Sequence, residues 1–242
     1  MFVENNDVAI DTLFHWFDKY VINDKYGNPV TTVYMRLVGD AELNRARVQA
    51  IRASKELRNK LKTNDSDERV VFIPDLEDIT SEQLIESILI LKVKEFTQSS
   101  MKEVNIPIPQ EPSSEADLEK QEKHQEEIDA YETTRVDKIR ELTTKKIENY
   151  RVVISTNSLE SLCKEYEKLI INDLCESEMI KKFREWCVFF GSYKDEKHTE
   201  AFFSTFDELD NLPTEVKEQF LDNYQALEIN IDFLKRSLEV MQ

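Results

Sequence analysis

A run of 42 residues, 114–155, has the composition of one long helix. Its first half is polar, and residues 111–134, which begin three residues before the run, hold nine acidic residues and two lysines, a net charge of −7. In its second half, apolar residues recur at steps of mostly three to five and form a stripe along one helical face. A helix that is polar on all sides buries little. The run therefore predicts a solvated first half and a docked second half.

The polar half admits two interpretations. It is either ordinary solvated surface, or an arm that becomes ordered when it meets an apolar or basic partner.

A proline-containing segment, residues 104–114, divides the chain by composition. Residues 1–103 predict an N-terminal α+β lobe, and residues 115–242 predict an acidic helical lobe. The chain has only three glycines and six prolines. This scarcity disfavours β-sandwiches, barrels and glycine-rich phosphate loops, because these need tight turns. We expect a mainly α fold: two helical lobes with a small N-terminal β element, joined by the proline-containing linker and the long acidic helix.

The β element is expected near the start of the chain. Residues 8–22 fit either a helix or a strand, since their apolar residues have helical spacing while their aromatic content is high. Residues 23–29 have turn composition, and residues 30–38 are the best strand candidate, rich in β-branched and aromatic residues. Together these segments predict a hairpin. Asp40 is then expected to cap a helix over residues 40–62.

The helix predicted at residues 40–62 is basic, although the chain as a whole is acidic. It carries seven basic and three acidic residues, a net charge of +4, in a chain whose net charge is −17. Leucine and alanine residues form one face and basic residues the other. The basic face is either solvated surface or a docking site for an acidic surface, including another copy of this protein. The candidate partner-binding residues on it are Arg45, Arg52 and Lys55.

Local signals also mark helix ends in the rest of the chain. Thr80 and Gln83 have the spacing of a capping box, in which each side chain bonds the backbone N–H of the other. Gly191 is expected as the C′ residue that stops a helix. A separate last helix is expected to begin at Asn230 or Asp232.

Two apolar faces are predicted in the acidic lobe. The first consists of Phe183, Trp186 and Phe190, and the second of Val216, Phe220 and Tyr224. They are candidate docking grooves for an apolar helical partner. The alternative is that they pack on each other as the core of that lobe.

No signature of catalysis or of a cofactor site was found. GxGxxG, GxxxxGK[ST] and HExxH are absent, and the three histidines have no ligand spacing. The three cysteines, Cys163, Cys175 and Cys187, lack CxxC spacing and are expected to be buried free thiols. We predict no catalytic residue, no cofactor and no metal.

The charge and the apolar pattern bear on partners and location. A net charge of −17 disfavours nonspecific binding to nucleic acid and to an anionic membrane surface. No apolar run approaches the roughly 18 residues of a transmembrane helix. The N-terminus has no basic n-region, so no signal peptide is expected. These features predict a cytoplasmic protein.

Residues 33–69, the acidic linker between the lobes and residues 203–228 together resemble tail assembly chaperones and related tail-morphogenesis proteins of tailed bacteriophages. Such proteins keep the long, helical, aggregation-prone tape measure protein soluble while tail tube subunits polymerise around it. The resemblance implies a non-enzymatic virion-assembly factor whose client is the tape measure or a tail tube protein. The alternative is a self-assembling structural component of a phage virion or scaffold, and hence a homo-oligomer.

Overall fold

The computed structural model describes residues 17–62, 79–109 and 118–240. In chain order its elements are β1 (Phe17–Asn23), β2 (Pro29–Arg36), α1 (Asp40–Lys62), α2 (Ser81–Glu103), α3 (Leu118–Ile154), α4 (Leu159–Gly191), β3 (Ser192–Tyr193), α5 (Phe206–Asp210) and α6 (Thr214–Val240). The strands form one small antiparallel sheet in the order β1-β2-β3. The expected mainly α fold with a small β element is confirmed.

The chain forms two compact units. Unit 1 combines Met1–Lys62 with Leu174–Gln242, and unit 2 is Thr63–Asp173. This division differs from the predicted one at residues 104–114, because the N-terminal hairpin packs with the C-terminal helices. Residues 110–114 of the predicted linker lie outside the described residues.

The predicted hairpin is present. β1 pairs antiparallel with β2, so Phe17–Asn23 is a strand rather than part of a helix, while residues 8–16 lie outside the described residues. Asp24 holds the turn, because its carboxylate accepts the backbone N–H of Asn28 at 2.9 Å. Gly27 has a φ of 82°, in the left-handed region that favours glycine. Local turn chemistry therefore sets the register of the hairpin.

The core of unit 1 lies between the sheet and the helices. Alternate residues of β2, Val33 and Met35, are fully buried and contribute to the same core as Phe220 of α6. The amide of Gln219 on α6 accepts the N–H of Asn23 at 2.9 Å and donates to its carbonyl at 3.0 Å. Gln219 thus takes the place of a strand partner at the edge of β1.

An ion pair, rather than Asp40, fixes the start of α1. Gly39 occupies the N-cap position and donates its N–H to Glu42 at 2.9 Å, so the predicted capping role of Asp40 is wrong. Asp40 is the first helical residue, where its charge favours the helix N-terminus. The Glu42 carboxylate accepts two hydrogen bonds from Arg36, at 2.7 and 3.0 Å, and Arg36 also donates to the Tyr193 hydroxyl at 2.8 Å. This network joins β2, α1 and β3.

Gly191 is the last residue of α4, but it is not a left-handed C′ residue, because its φ is not positive. A Cβ atom at this position would lie 2.7 Å from the carbonyl oxygen of Arg36 and 2.8 Å from Cε2 of Tyr224. Glycine is therefore needed here because β2 and α6 approach the end of α4 closely.

α6 is one helix, so the prediction of a new helix at Asn230 or Asp232 is wrong. The backbone stays helical through both residues. Asn and Asp are only weakly disfavoured inside a helix, by less than about 0.7 kcal/mol relative to alanine, so they do not force a break.

Unit 2 contains α2, α3 and the first part of α4. Its core consists of Leu84, Ile88, Leu89, Ile154 and Leu162. Lys146 of α3 joins the two long helices, because it donates to Ser99 at 2.7 Å and to Glu103 at 2.6 Å.

α3 has the two halves that its sequence predicts. Among the described side chains of residues 120–142 none is buried, and the first buried one is Thr143. The second half carries the contacts with α2 and ends at Ile154, which is 1% exposed. The first half of α3 is thus solvated and the second half docked.

The capping box at the start of α2 is confirmed. The Thr80 hydroxyl accepts the N–H of Gln83 at 3.3 Å, and the Gln83 side chain accepts the N–H of Thr80 at 2.9 Å.

We expect Thr80→Ala to lower the free energy of unfolding by about 1 kcal/mol, because the N–H of Gln83 in the first turn loses its acceptor. Thr133→Ala is the control: Thr133 is an exposed mid-helix threonine whose hydroxyl bonds within α3 at 2.8 Å. Thr133→Ala should not lower the free energy of unfolding, because alanine is a better helix former than threonine. Urea denaturation followed by circular dichroism compares the two variants. Equal midpoints for Thr80→Ala and the unmodified chain would contradict the prediction.

Candidate functional site

A cleft of about 430 Å³ lies between α1, α4 and α6 of unit 1. α1 turns small residues toward the other helices, since Ala46 and Ala50 are 0% and 1% exposed. The Ser54 hydroxyl donates to the carbonyl of Cys175 at 2.8 Å, which fastens α1 to α4. Small side chains on α1 fill little of the volume beside α4 and α6, so an open space remains between the three helices.

The cleft is apolar inside and polar at its edge. Its apolar lining consists of Ala50, Ile51, Met179, Ile180, Phe183, Cys187, Val188, Leu221 and Tyr224. Its polar lining consists of Arg47, Arg184, Gln225 and Glu228, all of them exposed. Ile51 and Ile180 are 44% and 43% exposed, so a ligand in the cleft would cover apolar surface that faces water. Such a lining suits an apolar ligand with polar groups at its margin.

The floor of the cleft carries no reactive group at neutral pH. Burial raises the pKa of the Cys187 thiol to about 12, so the thiolate that would act as a nucleophile is not formed. Burial also raises the pKa of Tyr224, whose hydroxyl accepts the N–H of Val38 at 3.2 Å. Both groups stay neutral, so the floor offers shape and apolar contact. Cys175 and Cys187 are buried free thiols, as predicted, and Cys163 is half-buried.

The two predicted apolar faces pack on one common core. Phe220 and Tyr224 are 1% and 4% exposed. Phe183, Trp186, Phe190 and Val216 are partly buried against the same core. This is the packing that the sequence left open as the alternative to docking. Phe183 and Tyr224 also line the cleft.

The predicted basic residues of α1 are on the surface. Arg45, Arg52 and Lys55 are all exposed, and the Arg45 guanidinium lies 4.5 Å from the ring centroid of Phe190. Val48 and Ile51 on the same helix are 48% and 44% exposed. α1 therefore presents to solvent two β-branched apolar residues among basic ones.

The sequence interpretation missed several residues of these surfaces. Ile180 and Leu221 line the cleft, and Val48 and Ile51 are exposed on α1. Each of the four is an apolar residue outside the main apolar stripe of its helix. Their position outside the stripe was the signal that could have identified them, because an apolar side chain outside the main apolar stripe of a helix is a candidate for a second contact surface.

In the part of the chain that the structure describes, no group of three or more His, Cys, Asp or Glu side chains is placed to hold a metal ion. None of the described helices combines the length and apolar character needed to cross a membrane.

Comparisons of the chain with protein family models, with curated proteins and with solved structures give no match. Support for a function therefore comes from the cleft and from the exposed apolar and basic residues of α1.

Proposed function

We propose that this protein is a non-enzymatic tail assembly chaperone of a tailed bacteriophage. It binds a helical client, the tape measure protein, in the host cytoplasm and keeps it soluble. The observation that carries the proposal is the apolar cleft between α1, α4 and α6. An amphipathic helix binds a partner by laying its apolar face into a groove of this kind.

The chemistry of the cleft suits such a client. The half-exposed Ile51 and Ile180 gain contact with apolar side chains of the client, and the gain is roughly 25 cal/mol for each Å² of apolar surface removed from water. Arg47, Arg184 and Glu228 at the edge face the polar side of the client helix. A net charge of −17 keeps the complex in solution, because like charges on neighbouring complexes repel.

The test is a charge placed in the cleft. Ile180→Glu should reduce the amount of soluble complex with the tape measure protein about tenfold or more, because a carboxylate would be buried against apolar client surface. Ile180 is 43% exposed, so the free protein should still fold. The two proteins are co-expressed, and the tape measure protein that co-purifies with the tagged chain is quantified.

Ile229→Glu is the matched control. Ile229 is 59% exposed and does not line the cleft, so this variant should retain the client. Equal recovery of the tape measure protein with Ile180→Glu and Ile229→Glu would rule out the cleft as the client site.

A second candidate function is a structural component of a virion or scaffold. The exposed apolar and basic residues of α1 favour it, because they form a surface that a neighbouring subunit could cover. The composition of purified particles separates the two functions. A chaperone is absent from them, whereas a structural component is present in many copies.

A further inference from the structure

α1 carries an exposed surface that has both apolar and basic character. We call it the α1 face, and it consists of Arg45, Arg47, Val48, Ile51, Arg52 and Lys55. Val48 and Ile51 are three residues apart and so lie together on the helix. They are 48% and 44% exposed, and the helix that carries them has a net charge of +4. The surface suits an acidic helix with two apolar residues at the same spacing.

The first half of α3 has the complementary character. We call residues 118–134 the α3 arm; it contains six acidic and two basic residues, a net charge of −4. Two apolar residues of the arm, Ile128 and Tyr131, are also three residues apart and only half-buried. The described side chains around them are exposed, apart from the half-buried His124.

We propose that the α3 arm of one copy of this protein docks on the α1 face of a second copy. Val48 then lies opposite Tyr131, and Ile51 opposite Ile128, with the two helices antiparallel. The α1 face shares Arg47 and Ile51 with the lining of the cleft, but self-association through this face does not depend on the proposed chaperone function.

The charges that flank the apolar pairs are complementary in both directions. With Val48 opposite Tyr131 in the antiparallel register, Arg52 comes opposite Glu127 and Arg47 opposite Glu132. With Val48 opposite Ile128 in the parallel register, Arg47 comes opposite Glu127 and Arg52 opposite Glu132. The direction is therefore set by the next charges along the two helices.

In the antiparallel register, Glu56 comes opposite Lys123, which makes a further pair of opposite charge. The parallel arrangement with Val48 opposite Ile128 would instead place Lys55 against Arg135. Like charges at that position oppose association.

A second copy is the natural occupant because every chain carries both surfaces. The net charges of +4 on α1 and −4 on the arm match in size and oppose in sign. Reciprocal docking closes a dimer, whereas one-way docking extends into an open assembly.

The test measures the mass of the full chain in solution by light scattering and sedimentation. The expected result is a mass that is a multiple of 28.5 kDa and that falls as salt is added, since salt screens the charge pairs. Arg52→Glu and Glu127→Arg should each raise the dissociation constant about tenfold or more. Both residues are exposed, so both variants should fold.

The decisive measurement is made on a mixture of the two variants. Each variant alone sets like charges against each other, but the mixture restores an opposite pair at every contact and should associate as the unmodified chain does. Lys197→Glu makes the same charge change as Arg52→Glu at an exposed site outside both surfaces, and should leave association unchanged.

Two outcomes would overturn the proposal. One is a single species of 28.5 kDa at concentrations up to about 100 μM. The other is an assembly whose dissociation constant is the same with and without Arg52→Glu. Ile180 lines the cleft, so Ile180→Glu tests client binding, whereas Glu127→Arg changes only the α3 arm and tests self-association without altering the cleft.

Discussion

Gly191→Ala should lower the free energy of unfolding by about 2 kcal/mol. The added Cβ would lie 2.7 Å from the carbonyl oxygen of Arg36 and 2.8 Å from Cε2 of Tyr224. The first of these atoms belongs to the backbone of β2, so the clash is relieved only if the strand moves. Overpacking of this kind costs typically 1 to 3 kcal/mol. Alanine stabilises a helix by up to about 1 kcal/mol relative to glycine. At a helix end this gain offsets only part of the cost of the overpacking.

Gly39→Ala is the matched control for this prediction. The nearest atom to a Cβ at Gly39 is Oε2 of Glu42 at 4.0 Å, and the backbone there is not in the left-handed region. We expect a loss of less than about 1 kcal/mol, since alanine is only a poorer N-cap residue than glycine. Urea denaturation of both variants gives the comparison. A Gly191→Ala chain as stable as Gly39→Ala would show that the end of α4 has room for a methyl group.

Replacing Lys182 and Lys217 together with methionine should have a still larger effect, about 4 kcal/mol. Their ammonium groups lie 2.8 and 3.3 Å from the two oxygens of Glu185, a fully buried carboxylate on α4. Both also pair with Oδ1 of Asp210, at 2.9 and 2.8 Å. Without the lysines, Glu185 would be a buried charge with no cation beside it, which is the costly case.

A third substitution provides the control. Adding Glu185→Met to the double variant removes the stranded carboxylate and leaves an apolar cluster of similar volume. Replacement of a complete buried ion-pair group by apolar residues is often close to neutral. The triple variant should therefore recover most of the lost free energy. If the double variant were as stable as the unmodified chain, the ion pairs would contribute nothing to the free energy of unfolding.

The same cluster predicts different pH dependences for the unmodified chain and the double variant. Hydrogen bonds from Lys217 and Lys182 lower the pKa of Asp210 from 3.8 to about 2. A lowered pKa contributes stability that is present above pH 3.8 and is lost as the pH falls toward 2. The unmodified chain should lose stability over this window. The double variant should lack this dependence, because Asp210 then has no lysine beside it to lower its pKa.

Lys182 affects stability at the basic end of the pH range. Burial alone would lower the pKa of Lys182, but its hydrogen bonds to Glu185 and Asp210 raise it above 10.5. A raised pKa contributes stability that is fully present below pH 10.5 and is lost as the pH rises through the folded value. Thermal unfolding measured from pH 2 to 11 covers both windows.

Features set by neighbouring residues could be predicted from the sequence. The bounds of α1 and the capping box at Thr80 follow from side chains that act within one or two helical turns. The hairpin follows from turn chemistry around Gly27. These signals are local, so no knowledge of the tertiary contacts was needed.

Features set by distant residues could not be predicted. The bonds between Gln219 and Asn23 join residues 196 positions apart, and nothing near either residue indicates them. The need for glycine at position 191 arises from Arg36 and Tyr224, which lie on other elements. The cleft depends in the same way on how three helices pack, so its lining could not be read from any one of them.

The composition of unit 1 has a consequence for the order in which the protein is synthesised. Val33 and Met35 of β2 share a core with Phe220, which is added to the chain more than 180 residues later. At a synthesis rate of about 5 to 20 residues per second, roughly 10 to 40 s pass between the synthesis of the hairpin and that of Phe220. Unit 2 is continuous in sequence, so all of its residues are synthesised before the hairpin gains its packing partner on α6. Each nascent chain therefore exposes the apolar side of β2 for many seconds, a window in which it is open to aggregation or to capture by a host folding factor.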